Sequence, residues 1–160
     1  MSADHLVSGD GQPTPLALAP AAAARLVAFF ESLSPASLDR LGSVYAANAY
    51  FKDPFNEVRG LPAIRKVFCH MYDTLEQPRF VVNGCVVEGA QCFLTWNFEF
   101  HFKRFARQQP QTVRGASHLV FGADGLVDFH RDYWDAAEEL YEKLPLLGSL
   151  MRWLKKRASQ

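Results

Sequence analysis

Asp53 is the first residue in the sequence whose type and surroundings could do chemistry. It lies in the stretch AYFKDPFNEVRG, residues 49–60, among aromatic and aliphatic side chains, and Pro54 follows it directly. An aspartate before a proline is most often a turn residue. A carboxylate at the mouth of an apolar pocket, in contrast, can take a proton from a bound molecule. Both interpretations stay open on these residues alone.

A second candidate group lies in the stretch LVDFHRDYWD near the end of the predicted sheet. Side chains on a strand alternate between its two faces. One face of this strand therefore carries Asp128, His130, Asp132 and Trp134. Histidine titrates near neutral pH, so His130 beside a carboxylate could form an acid–base couple. The alternatives are a structural histidine, and for Asp132 an ion pair with Arg131 or a cap of the following helix.

Length and composition limit the classes of protein. The 160 residues predict a flexible tail over residues 1–19 and a single domain over residues 20–160. Seventeen Lys and Arg balance seventeen Asp and Glu, which argues against a nucleic-acid partner. Three cysteines without a CxxC pair favour a cytoplasmic location. The five histidines lack HxH and HExxH spacing, so no metal site is predicted.

Periodicity predicts the elements that would position these groups. Apolar residues at helical spacing indicate a helix opened by Pro20, a second helix capped by Ser34 and a third helix over residues 61–75. NAYFKDPF is predicted as a short strand and NEVRG as a loop closed by Gly60. Alternation then predicts four strands around the hairpin turn GADG, over residues 79–89, 91–105, 111–122 and 126–135. Helices before antiparallel strands favour an α+β fold, with helices on one face of a curved sheet of four to six strands and a helix after Asp135.

Two stretches carry a resemblance to a known family. VYAANAYFKDPFNEVRGLPAIRKVF is similar to the corresponding part of ketosteroid isomerases and SnoaL-type polyketide cyclases, and DGLVDFHRDYWD to the last strand of limonene-1,2-epoxide hydrolases. Residues 22–140 thus resemble the SnoaL-like, nuclear transport factor 2-like superfamily. The resemblance implies a cone whose bent sheet wraps the helices around a blind apolar pocket. A carboxylate beside aromatic walls loses water, so its pKa rises and it accepts protons more readily. Asp53 falls at the general-base position of the isomerases.

The partners of these known sites are only partly present. Isomerases of this fold add two hydrogen-bond donors, and the matching residues here are Leu26, which cannot donate, and Ser117, which donates weakly. Losing one such donor typically costs about 10²–10³ in rate. The epoxide hydrolases use two aspartates around an arginine, with a tyrosine and an asparagine. The positions that match these five are Asp132, Glu99, Asn97, Phe51 and Asp53. The central arginine is therefore replaced by Asn97.

The resemblance also predicts which residues face the pocket. It places Asn97 and Glu99 inside the cone and Phe98 and Phe100 outside, where such sheets often pair into a homodimer. The opposite register, in which the phenylalanine face forms the core, stays open. We expect Asp53 as the base and Asp132 with His130 as a second proton-transfer or water-orienting group. The expected ligand-binding residues are Phe51, Asn97, Glu99, Ser117, Leu26 and Trp134.

The predicted function is the binding of a small, largely apolar molecule such as a lipid, terpenoid or polyketide. Isomerase, cyclase or hydrolase chemistry on it would need no cofactor. The alternative is a non-catalytic ligand carrier or a dimerising interaction module. The basic, apolar C-terminal stretch LGSLMRWLKKRASQ could touch an anionic membrane, but packing on the domain is the favoured interpretation.

Overall fold

The computed structural model describes residues 15–103, 109–139 and 156. Helices and strands follow one another in the order that the periodicity predicts. They are α1 (Pro15–Glu31), a 3₁₀ helix (Pro35–Ser43), β1 (Tyr45–Lys52), β2 (Glu57–Arg59), α2 (Leu61–Thr74), β3 (Leu75–Glu88), β4 (Gln91–Phe102), β5 (Gln111–Phe121), β6 (Val127–Tyr133) and α3 (Ala136–Glu139). No helix of the described residues is long and apolar enough to cross a membrane.

All six strands form one sheet in the order β2-β1-β6-β5-β4-β3. Neighbouring strands are antiparallel except for β1 and β6, which run parallel. This pair brings the first strand of the sheet next to the last one in the sequence. The pairing shifts register within β1–β6, β3–β4 and β5–β6. Such bulges bend strands and increase their twist. The predicted α+β class, with helices against a curved, open sheet, is confirmed.

The core lies between the helices and one face of the sheet, which we call the inner face. Helix α1 contacts β3, β4 and β5, and α2 contacts β1 and β3. Small residues at Ala19, Ala22 and Ala23 are fully buried, so this part of α1 can approach the sheet closely. Further along the helix, Phe29 and Phe30 fill the wider space. Burying such side chains stabilises the fold by roughly 1.5–3 kcal/mol each.

Three local predictions can be compared with the structure directly. Ser34 caps the second helix, since its hydroxyl accepts a hydrogen bond from the Ser37 amide at 3.3 Å. The Ser37 hydroxyl in turn accepts from the Ser34 amide at 2.9 Å. The helix is a 3₁₀ helix rather than an α-helix. The GADG turn is also confirmed, with Gly125 at a φ of 73° that suits glycine. The predicted NEVRG loop was wrong in part, because residues 57–59 form β2 at the edge of the sheet.

The start of the first helix is a correction. The helix begins at Pro15 rather than at Pro20, and Pro20 lies inside it. Proline favours the first turn of a helix, so the sequence offers Pro15 and Pro20 as two possible starting points, and the structure has Pro15 in that position. Ala19, assigned to the tail, is fully buried in the core. Residues 1–14 and most of the predicted C-terminal helix lie outside the described residues.

Candidate functional site

A cavity of about 290 Å³ lies between α2 and the inner face of the sheet. This volume is at the lower end of the range for ligand pockets, about 300–1,000 Å³. Its walls are mostly aromatic, and two carboxylates, those of Asp53 and Asp132, line it. The aromatic lining residues are Phe51, Phe55, Phe68, Phe80, Trp96, Phe98, Phe100, Phe102 and Trp134. A large apolar cavity with a few convergent polar groups is the usual form of a ligand site.

Asp132 is held by hydrogen bonds from one side. Its Oδ1 accepts from the Ser117 hydroxyl at 2.5 Å and from His130 Nε2 at 2.7 Å. Ser117 in turn accepts from the indole N–H of Trp96 at 2.8 Å. Ser117 and Trp96 come from β5 and β4, so three neighbouring strands fix one carboxylate oxygen. A network whose members are all bonded is rigid, and it therefore holds the carboxylate in one orientation.

His130 connects this carboxylate to the interior. Its Nδ1 lies 2.6 Å from the Tyr45 hydroxyl, and the two rings stack at 5.9 Å. Both side chains are buried. An imidazole with its proton on Nε2 satisfies both contacts, because Nε2 then donates to Asp132 and Nδ1 accepts from Tyr45. Burial first, and then the charge of Asp132, raises the pKa of Tyr45 well above its usual value of 10, so this hydroxyl stays protonated.

A small recess adjoins the cavity on the side of this network. It measures about 20 Å³, and its polar lining groups are Ser117, His130 and Asp132. That is room for about one water molecule, which needs two to four polar partners to be stable. Asp132 lines the recess and the cavity alike. It therefore stands where a ligand in the cavity would meet the polar network.

Asp53 lines the cavity as well, but its oxygens are engaged in the turn between β1 and β2. Oδ1 accepts from the backbone amides of Phe55 at 2.7 Å and Asn56 at 2.6 Å. The Asn56 side-chain amide adds contacts to both oxygens at 3.1 and 2.9 Å. An aspartate that bonds to amides two and three residues ahead forms an Asx turn. Both interpretations of the sequence thus meet in Asp53, which is a turn residue at a cavity wall.

The predicted register of β4 was wrong. Phe98 and Phe100 line the cavity, whereas Glu99 pairs with Arg79 at 2.5 Å and is 39% exposed in its side chain. Asn97 is on the same outer face as Glu99. The physical reason is that the phenylalanine face buries far more apolar surface against the helices. A shift of one residue moves every side chain to the other face, so this preference decides the register.

Some of the remaining predicted residues line the cavity or the recess, and others do not. Phe51 and Trp134 line the cavity, and Ser117 lines the recess, as expected. Leu26 is fully buried in the packing of α1 and lines neither space. Asp128 is exposed and does not share the face of His130, because the pairing of β5 with β6 shifts register in this region.

Sequence reasoning missed two members of the network. Tyr45 begins β1 and meets His130 through the parallel pairing of β1 with β6, which brings together residues 85 positions apart. Trp96 alternates with Phe98 and Phe100 along β4, so the predicted register would have put it on the outer face as well. Tyr45 lies in the stretch that resembles the isomerases, and this resemblance was the available signal for its role. Nothing local indicated that its partner would be His130.

Two of the three cysteines, Cys85 and Cys92, lie near the hairpin that joins β3 and β4. Cys69, Cys85 and Cys92 are free, and the sulfurs of Cys85 and Cys92 lie 3.8 Å apart. Burial, and then its neighbour Cys85, raises the pKa of the Cys92 thiol to about 12. Within the described parts of the chain, no three His, Cys, Asp or Glu side chains are grouped closely enough to hold a metal ion.

Comparison with known proteins identifies the fold. The family model of the SnoaL-like domain matches residues 26–130. A search of the curated proteins finds no match. Among solved structures, a hypothetical protein with a ketosteroid isomerase-like fold from Catenulispora acidiphila, in complex with trimethylamine, has a TM-score of 0.65 at 17% identity, covering 76% of this chain and 90% of its own.

Two further similar structures belong to proteins named for an activity. An epoxide hydrolase of the LEH-like type from M. tuberculosis has a TM-score of 0.62 at 14% identity, with 76% of this chain and 87% of its own covered. A putative SnoaL-like polyketide cyclase from Jannaschia sp. has a TM-score of 0.63 at 15% identity, with 76% and 88% covered. At such identities the likeness shows the fold and leaves the reaction open.

Proposed function

Because the chain belongs to the family of SnoaL-like domains, we propose that it binds a small, largely apolar molecule in the aromatic cavity and exchanges a proton with it through Asp132. One observation carries this proposal. Both donors to Asp132 approach Oδ1, and no described residue bonds to Oδ2. One oxygen is thus fixed while the other is available to a ligand, which is the arrangement that a general base needs.

The chemistry follows from the groups around the carboxylate. A ligand proton within about 2.6–3.2 Å of Oδ2 can move to it. The donors Ser117 and His130 hold Oδ1 throughout, so the carboxylate does not reorient during the transfer. Tyr45 keeps the imidazole in the tautomer that donates to Asp132. Asp53, with its oxygens engaged, shapes the wall and contributes charge rather than accepting the proton.

The reaction class is isomerisation, cyclisation or water addition. Each proceeds by moving protons on a mostly apolar molecule, and each can be carried out by side chains alone. The two similar structures named as an epoxide hydrolase and as a putative polyketide cyclase belong to the same chemical class. The recess beside Asp132 offers a place for a single water, which supports water addition in particular.

The test begins with native mass spectrometry for a ligand that co-purifies with the full chain, followed by a screen of terpenoid, lipid and polyketide-like compounds. Asp132→Asn should bind the identified ligand but convert it at least about 100-fold more slowly, which is the usual scale for general-base loss. Met71→Trp should block binding, because Met71 lines the cavity. The matched control is Asp128→Asn, an exposed aspartate on the same strand. Conversion by Asp132→Asn at the parental rate would show that the base is another group.

A non-catalytic ligand carrier is the second candidate, and the engagement of Asp53 by backbone amides favours it. A carrier would bind the ligand with the same dependence on Met71 and release it unchanged. Incubation of the parent with the identified ligand, followed by mass spectrometry of the released compound, separates the two functions. An isomerase leaves the mass unchanged, so chromatographic retention must be compared as well.

We also propose a homodimer and a cytoplasmic location. The outer face of the sheet carries a row of ring contacts across four strands. Phe93 stacks on His118 at 4.6 Å, His118 meets Phe129 at 5.4 Å, and Phe129 stacks on Tyr50 at 5.3 Å. Phe93 is 44% exposed, so this row offers apolar surface to a second copy. The free cysteines support the location, since a reducing compartment keeps thiols unpaired.

A further inference from the structure

The cavity carries negative charge without a matching cation in its wall. Asp53 and Asp132 both line it, and none of its described lining residues is lysine or arginine. The one histidine, His70, is on an exposed position of α2. The donors to the two carboxylates are backbone and side-chain amides, a hydroxyl and an imidazole. An ionised carboxylate accepts from all of these groups.

The basic residues closest in the chain are engaged elsewhere. Lys52 and Arg131 line an open groove that shares Asp53 and Asp132 with the cavity. Lys52 pairs with Glu57, and the Arg131 guanidinium lies 4.8 Å from the centroid of the Tyr133 ring. Among the described contacts, neither Lys52 nor Arg131 forms an ion pair with Asp53 or Asp132, so a cationic group of a ligand can pair with these carboxylates.

The walls favour the same kind of ligand as the carboxylates. The faces of aromatic rings are negative and attract cations that lie within about 6 Å of the ring centre. Burying a charge is unfavourable unless it is paired, and here the two aspartates supply the pairing. A neutral ligand would use the apolar walls but leave both carboxylates without a counter-charge. An anionic ligand would be repelled.

We propose that the ligand of this cavity is an apolar amine, in protonated or quaternary form, whose nitrogen lies near Asp53 and Asp132 while its carbon substituents pack on the rings. This inference rests on the proposed function, since it concerns the same cavity, and it names the class of molecule bound there. For such a ligand, the proton exchanged with Asp132 Oδ2 is one that the positive nitrogen makes more acidic.

The test compares benzyltrimethylammonium with its uncharged isostere neopentylbenzene, in which carbon replaces nitrogen. Tryptophan fluorescence of the full chain reports binding, because Trp96 and Trp134 line the cavity. We expect the cation to bind at least about tenfold more tightly at low salt, with the preference shrinking as salt rises. Equal affinities, or tighter binding of the isostere, would overturn the amine proposal. If both compounds bind equally well and Met71→Trp abolishes their binding, the cavity is still a ligand site and only the amine proposal fails.

Three variants sharpen the outcome. Asp132→Asn and Asp53→Asn each remove one charge at nearly constant volume, and each should reduce the ratio of cation to isostere affinity by about fivefold or more. Asp128→Asn removes an exposed aspartate from the same strand and should leave the ratio unchanged. A ratio unaffected by both lining variants contradicts the assignment. Binding of the compounds that Met71→Trp leaves unchanged would instead show that they bind outside the cavity, and it would reject the cavity as the ligand site and with it the proposed function.

Discussion

Replacement of Tyr45 by phenylalanine removes one buried hydroxyl and leaves the ring in place. The ring still stacks on His130 and still meets Phe30 edge-on at 6.5 Å. What is lost is the 2.6 Å contact with His130 Nδ1. A buried acceptor that loses its donor costs about 1–3 kcal/mol. We therefore expect the free energy of unfolding at pH 7 to fall by about that amount.

The same hydroxyl predicts how this difference changes with pH. Burial and the charge of Asp132 raise the pKa of Tyr45 in the folded chain well above 10, whereas an unfolded tyrosine loses its proton near pH 10. Between these two values the folded chain holds one more proton than the unfolded chain. Stability from this group is therefore complete below pH 10 and declines above it by about 1.4 kcal/mol per pH unit. Tyr45→Phe lacks this decline, so its deficit relative to the parent narrows as pH rises above 10.

Urea denaturation followed by circular dichroism at about pH 7, 9, 10 and 11 measures both effects, provided that the slope with urea is unchanged. The matched control is Tyr133→Phe, because Tyr133 is half exposed. It should keep the parental stability at neutral pH. A deficit of Tyr45→Phe that stays constant from pH 9 to pH 11 would refute the role of burial. A variant as stable as the parent at pH 7 would refute the hydrogen-bonded network.

Three further predictions concern other parts of the fold. At pH 8, iodoacetamide should alkylate Cys85 faster than Cys92, because burial raises the pKa of the Cys92 thiol to about 12; peptide mass spectrometry that finds equal rates in the folded chain would contradict this. Gly115→Ala should lower the free energy of unfolding by about 1–3 kcal/mol, since its new Cβ would lie 2.3 Å from Trp96 Cη2; a parental urea midpoint would argue against that clash. Phe93→Glu should convert a homodimer to a monomer in light scattering, and a parental mass would exclude this face as the interface.

Most of the fold could be predicted because its signals are local. Helical spacing identified α2, and alternation identified β3 to β6, since each pattern depends on neighbouring residues alone. The same period-two pattern cannot say which face is inside when both faces carry apolar side chains. On β4 the resemblance suggested one register and the phenylalanines the other. Burial against α1 and α2 favours the register with the phenylalanines inside. The sequence of β4 alone does not indicate which of its faces these helices cover.

The candidate site was harder to predict, because its contacts join distant parts of the chain. His130 and Asp132 were found from their spacing on one strand, which is a local signal. The donor that fixes the imidazole, Tyr45, lies 85 positions earlier and reaches it only through the parallel pairing of the first long strand with the last. That pairing requires the sheet to assemble around the helices, which no short stretch of sequence specifies.

The contrast between the two aspartates shows why position in a motif does not settle a role. Asp53 falls at the position that the resemblance assigns to a general base. Three hydrogen-bond donors already contact its Oδ1, however, and a fourth contact reaches Oδ2. The sequence resemblance at Asp132 is weaker than at Asp53. Its hydrogen-bond donors, however, hold Oδ1 alone and leave Oδ2 to a ligand. Accepting a proton from a ligand requires a carboxylate oxygen that the ligand can reach. We therefore propose Asp132 as the proton-transferring group of this cavity, while Asp53 holds the turn between β1 and β2.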